Sequence, residues 1–175
     1  PNLVLACGQA VCRSPSASPD GEWLAYERIE PGGASGSQVW LLDLSTNSSA
    51  PLGAAGHVTE TPLWSTKNIL VYFDEQESGY IFVDVSDDRR FEAPNSTGQM
   101  GTWAPDGEIF LAPEIIYVDS GDGIVVGSSH LLEYMPFGAI KDLTPADILE
   151  DTSPAYTPDG LRIAFARKFI DEKRW

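Results

Sequence analysis

A chain of 175 residues is about one domain's worth and can bury a core, and 42% hydrophobic against 21% charged residues excludes a disordered acidic tail. Its 26 Asp and Glu against 11 Lys and Arg leave a formal net charge of -15, which repels phosphate backbones and lipid headgroups and argues against nucleic-acid or membrane-surface partners. No apolar run approaches the roughly 18 residues a membrane span needs, and the N-terminus does not read as a complete signal peptide. With 16 Gly and 13 Pro, the chain is punctuated for many short strands and turns rather than long helices.

Residues 1–13 form an N-terminal segment holding both cysteines, Cys7 and Cys12. The favoured reading is a small disulfide loop, which would mark an exported protein. Two reduced thiols are the alternative, and Val4-Leu5-Ala6-Cys7 has some likeness to a lipoprotein cleavage box. A zinc site lacks two ligands, because His57 and His130 stand isolated. Asn47-Ser-Ser and Asn95-Ser-Thr are glycosylation sequons by pattern.

From residue 14 onward the chain repeats itself. Pro15–Tyr26, Pro62–Tyr72, Gly101–Leu111 and Pro154–Phe165 align. In each, an aromatic or small residue ends one strand, a tight turn follows, and an alternating apolar strand comes next. The turn is Pro-Asp-Gly in three of the four, through Asp20 and Gly21, Asp106 and Gly107, and Asp159 and Gly160. Proline presets φ, the aspartate accepts a backbone hydrogen bond, and glycine takes the positive φ. The second unit substitutes Thr66-Lys67-Asn68, with Asn68 as the next-best left-handed residue. A third strand follows at Gln38–Leu44, Tyr80–Val85 and His130–Met135. A short fourth is expected around Pro51–Leu52, Arg90–Glu92 and Ile140–Leu143.

Four short strands per repeat of roughly 40–50 residues predict an all-β chain of β-propeller blades. They should run approximately over 14–60, 61–100 and 101–153, with a partial blade at 154–175. The third is lengthened by an insertion at 113–129 that could add a small hairpin. The repeated Trp-(Ser/Ala)-Pro-Asp-Gly-x-x-(Leu/Ile)-Ala-(Phe/Tyr) units resemble the TolB-like, or PD40, WD40-related propeller repeats over nearly all of residues 14–165. That family closes six or seven blades, so about three and a half blades imply either a fragment of a longer propeller or partial rings that self-associate. The resemblance implies a non-enzymatic platform for protein binding in an exported or periplasmic setting. The alternative it implies is the gating propeller of a prolyl-oligopeptidase-like serine peptidase.

Motifs for chemistry are sparse. Gly33-Ala-Ser-Gly-Ser37 approaches a nucleophile elbow but lacks its last glycine. His130 follows Ser128 and Ser129 with no assignable acid, and reads as structural or solvent-facing. Asp119-Ser-Gly-Asp-Gly123 is only faintly like a calcium loop, so no cofactor is expected, with calcium the weak exception. Trp64 and Trp103, matched by Tyr156, repeat at one position and should pack between blades, as should Trp23 and Trp40.

Propeller topology places the loops between second and third strands, and those between blades, on one face. These loops hold Glu30, Glu60, Asp74, Glu75, Glu77, Glu114, Asp119, Asp122, Asp147, Glu150 and Asp151, and no Lys or Arg. One reading is a solvated acidic surface kept for solubility. The other is a face that docks a basic protein segment or divalent ions.

Overall fold

The computed structural model describes residues 5–33, 36–119, 124–125, 127–144 and 149–169. The chain is all-β, with no helix among the described residues. It divides into two compact units, Pro1–Pro94 and Asn95–Trp175.

The first unit holds two antiparallel four-stranded sheets. One runs β1 (Val11–Ala17), β2 (Trp23–Ile29), β3 (Ser37–Asp43) and β4 (Ser48–Pro51); the other runs β5 (Thr59–Trp64), β6 (Ile69–Asp74), β7 (Gly79–Asp84) and β8 (Arg89–Pro94). Their spatial order equals their chain order, which is the meander of a propeller blade. The middle strands carry the β-branched and aromatic residues and are buried, whereas β4 is exposed throughout. Ala25 and Val39 of the first sheet pack with Trp64, Leu70, Tyr72, Ile81 and Val83 of the second in one cluster. Residues two apart along each strand share a face, so this cluster seals one blade to the next.

In the second unit, β9 (Thr102–Trp103), β10 (Phe110–Ile115), β13 (Ser129–Tyr134) and β14 (Ile140–Asp142) pair antiparallel. The insertion carries a two-residue pair, β11 (Val118–Asp119) with β12 (Ile124–Val125). A final hairpin, β15 (Leu149–Tyr156) with β16 (Ile163–Phe169), opens the next repeat. This hairpin is joined to the preceding sheet by a parallel pairing of Ser129 with Glu150, so six strands form one sheet.

The Asp-Gly turns are built as their chemistry requires. Gly21, Gly107 and Gly160 sit at φ 75°, 75° and 70°. Asp20, Asp106 and Asp159 each accept the amide two residues on, at 2.9–3.0 Å. Asn68 takes the left-handed position in the second repeat at φ 59°, where Ser65 Oγ replaces the aspartate by accepting from Lys67 and Ile69.

Two features differ from the sequence expectation. β1 begins at Val11 rather than at residue 14, and β15 at Leu149 rather than at 154, because the first strands run through a bulge. Ser14, Thr61 and Ser153 all have φ between 51° and 55°, each precedes a proline, and each sits where the register shifts. The proline marks the middle of a bulged strand, not its start. The third repeat has no such bulge and only a two-residue β9. There Gly101 abuts the Leu111 carbonyl and the Phe110 ring, so closely that a Cβ would collide with both.

The turns also carry a pH signature. The Asp43 carboxylate accepts from the Ser45 hydroxyl and the Thr46 amide, which hold its pKa down at about 2. The Ser18, Ser86 and Thr157 hydroxyls likewise lower Asp20, Asp84 and Asp159. A depressed carboxylate stabilises the fold above its unfolded value and loses that contribution as pH falls through the folded value. The turn aspartates' contribution to stability, measured by urea unfolding, should therefore fall from about pH 4 to about pH 2. Asp43→Asn should make that fall shallower.

Candidate functional site

In the first unit, the β2–β3, β4–β5 and β6–β7 loops meet at one end. The Glu75 amide donates to the Val58 carbonyl at 3.0 Å, and Gln76 Oε1 accepts from the Val58 amide at 2.6 Å. Gly36, at φ 71°, lies against Val58 with no room for a Cβ. Asp74, at the end of β6, is fully buried. It accepts from the Gln76 and Glu77 amides at 3.1 and 3.2 Å and lies 2.9 Å from His57 Nδ1. This carboxylate ties the β6–β7 turn to the incoming inter-blade loop.

Glu27 on β2 is a second buried carboxylate, 2% exposed. It accepts from Arg13 Nε at 2.6 Å, the Ser37 hydroxyl at 3.2 Å and the Thr61 amide at 3.0 Å. Burial alone would raise its pKa, but the Thr61 amide, Arg13 and Ser14 outweigh that and lower it. The Thr61 contact matters most structurally, since it satisfies the amide of the next strand's bulge residue. Glu60, 3.5 Å from Arg13 Nη2, is pushed up by its own burial and by the Glu27 charge.

The eleven acidic residues singled out by sequence therefore have different fates. Asp74 and Asp151 are fully buried, so they are not part of any acidic surface. A strand-end carboxylate can turn inward to hold loop amides or a cross-strand cation, and counting charges does not reveal that. Asp151 faces its cross-strand neighbour Arg167 in a two-pronged ion pair, 2.7 Å at both oxygens. Glu150 pairs with Lys168 at 2.9 Å, and Glu30 with Arg28 at 2.7 Å. Glu114 accepts from the Ser96 amide at 2.8 Å and from its hydroxyl. Asp122, Asp147 and the Asp119 side chain lie outside the described residues, as do most of the calcium-like stretch and residues 34–35 of the glycine-serine stretch. Glu75 and Glu77 remain exposed on the first unit's loop end, beside the partly buried Glu60.

Both histidines have acid partners that the sequence reading missed. His130, 4% exposed, lies with Nδ1 2.6 Å from Asp142 Oδ2. The signal was the β13–β14 register, which sets Leu132 opposite Asp142 and so brings His130 diagonally within reach. The His130 Nε2 and Ser128 Oγ atoms are buried without a hydrogen-bond partner. A cleft of about 150 Å³ in the same unit is lined by Gln99, Ile115, Gly127, Ser129, Glu150 and Thr152. Among the described residues, no group of three His, Cys, Asp or Glu side chains converges as a metal site would.

Asn95, half of a sequon, is 2% exposed. Its Nδ2 donates to the Pro113 carbonyl and the Tyr134 hydroxyl, both at 2.9 Å, and its Oδ1 accepts from Thr97 and Gly98. A glycan there is incompatible with the fold. Asn95→Ala should cost about 3 kcal/mol, since it strands several buried partners; thermal unfolding would show the loss. Cys7 and Cys12 form a disulfide, S–S 2.04 Å, at the head of β1.

No family model and no curated protein matches the sequence. Solved structures do share the fold, and they are β-propellers. TolB from Acinetobacter baumannii superposes with a TM-score of 0.56 at 19% identity, over 94% of this chain and 42% of that one. The β-propeller domain of the Trilobed protease from Pyrococcus furiosus gives 0.53 at 17%, over 81% and 45%. The acylaminoacyl peptidase of Pyrococcus horikoshii gives 0.55 at 17%, over 88% and 28%. The chain thus spans less than half the length of each. Its strands are those of β-propeller blades, about three and a half of them. No helix among the described residues is long and apolar enough to cross a membrane.

Proposed function

We propose that this chain is a non-enzymatic, TolB-like platform for protein–protein interaction, and that the loop end of its first unit receives a basic segment of a partner protein. The observation that carries the reading is that end's construction. Asp74, Gln76 and Val58 bind the loops to one another, while Glu75 and Glu77 point their charges to solvent. Preorganised loops lose little entropy on binding, and unpaired surface acids steer a cationic partner. The platform uses no cofactor and makes or breaks no bond. The Cys7–Cys12 disulfide supports export to an oxidising compartment, periplasmic or extracellular.

A second reading is supported by the match to acylaminoacyl peptidase: the same blades would gate a serine peptidase carried by a longer polypeptide. Labelling the full-length protein with a fluorophosphonate separates the two. A platform stays unlabelled, and a peptidase reacts.

Binding of the basic partner should weaken at least tenfold between about 50 and about 500 mM salt, because exposed charges beyond a Debye length are screened. Glu75→Lys with Glu77→Lys should weaken it similarly at low salt, with unchanged thermal stability. Calorimetric titration of the partner across the salt series measures both; salt-independent affinity is incompatible with this docking mode.

A further inference from the structure

The second unit keeps the outline of a carboxylate site that the first unit fills with its own side chain. In the first unit, Glu27 accepts from Arg13 Nε, the Ser37 hydroxyl and the Thr61 amide, and Arg13 also reaches Glu60. Arg13, Glu60, Gln99 and Thr152 hold one position in the four repeats, each six residues before the turn residues Pro19, Thr66, Pro105 and Pro158. Glu27 and Pro113 hold another, seven residues after Asp20 and Asp106. Ile29 pairs with Ser37, and in the third repeat Ile115 pairs with Ser129 in the same register.

The cleft of about 150 Å³ in the second unit has Gln99, Ser129 and Thr152 on its walls, with Ile115. The first three are the counterparts of Arg13, Ser37 and Glu60, which form the cluster around Glu27. The counterpart of Glu27 is Pro113, which has no carboxylate to offer. The same strand set, β1, β2, β3 and β5, closes this space in the first unit, so side-chain identity opens it in the second. The donors are kept. Ser153 is a left-handed bulge residue like Thr61, at φ 54° against 55°, so its amide turns to the same side. Ser129 is 7% exposed, and its hydroxyl donates to the Asp151 carbonyl at 2.8 Å, where Ser37 donates to a carboxylate.

We propose that this cleft binds a small carboxylate on a short aliphatic tail, with the carboxylate standing where Glu27 stands in the first repeat. It accepts from the Ser153 amide and the Ser129 hydroxyl, Gln99 takes the place of Arg13, and the tail lies against Ile115. Hydrogen bonds to an ionised acceptor are the stronger kind, and a space of about 150 Å³ takes a ligand of about six carbons. Glu150, also on the lining, is paired with Lys168 at 2.9 Å, which offsets its repulsion. This inference is independent of the acidic loop end and stands or falls separately.

The test titrates the 175-residue chain with propionate and follows amide resonances by NMR. The Ser153 amide should shift saturably, with a dissociation constant of about 1–10 mM for so small a ligand, and propionamide should leave it unmoved. Gln99 is exposed ahead of β9, so its variants keep the fold. Gln99→Arg should tighten propionate binding about threefold and Gln99→Glu weaken it about threefold, the size of an exposed charge pair. Pro113→Glu with Gln99→Arg rebuilds the first repeat's pair, and should shift the Ser153 amide without ligand and weaken propionate binding at least tenfold. N-acetylglutamate amide, titrated alongside, distinguishes the sources: tighter binding than propionate assigns the carboxylate to a peptide side chain, weaker binding to a free acid. Three results overturn the proposal: no saturation by about 100 mM propionate, an equal shift with propionamide, or one affinity for the parent chain and both Gln99 variants.

Discussion

Trp64→Ala should destabilise the first unit by about 3–5 kcal/mol, the usual cost of truncating a buried tryptophan. Trp64 is 8% exposed and belongs to the cluster that joins the two sheets, with Ala25 and Val39 on one side and Leu70, Tyr72, Ile81 and Val83 on the other. Its neighbours are fixed in strands paired on both edges, so they cannot collapse into the space. Trp64→Phe should recover more than half the loss. Denaturant unfolding followed by far-ultraviolet circular dichroism measures both. A loss under 1 kcal/mol for alanine would mean that this contact does not hold the blades together.

Arg167→Ala should cost about 3 kcal/mol in the second unit, because it leaves the Asp151 carboxylate buried without its cation. Asp151 is 0% exposed while the guanidinium is 34% exposed, so water partly reaches Arg167 and the effect sits at the lower end for a broken buried pair. The aspartate also raises the Arg167 pKa through its hydrogen bonds. Replacing both residues, Asp151→Val with Arg167→Leu, should be much milder than Arg167→Ala alone, since no orphaned charge remains. A double variant as unstable as the single one would show that packing, not the stranded charge, sets the cost.

The turn chemistry made the fold legible in the sequence. Pro-Asp-Gly beside the same aromatic and apolar positions can be read without coordinates, because proline, aspartate and glycine each have one physical task there. The bulges at Ser14, Thr61 and Ser153 were not legible. A Ser or Thr before proline reads as the end of a loop, and nothing in its side chain announces a left-handed φ inside a strand. The candidate site was less legible still. Loop carboxylates could be counted, but whether each faces water depends on register. Asp151 is paired with a strand neighbour sixteen positions away, and Asp74 is held by the Gln76 and Glu77 amides and His57. Among the described acids, Glu75 and Glu77 on a braced turn stood out only once Asp74, Asp151, Glu150, Glu30 and Glu114 had been assigned their partners.

The docking of a basic protein segment at the first unit's loop end, proposed above, places Glu75 and Glu77 at the contact. Site-specific photocrosslinking tests it most directly, with the crosslinker placed in turn at Glu75, at Glu77 and, at the other ends of the strands, at Asn47 and Asp87. Docking at this end yields partner adducts from 75 and 77 that disappear at high salt, and none from 47 or 87. Adducts confined to 47 and 87, or adducts from 75 and 77 that persist at high salt, would contradict it.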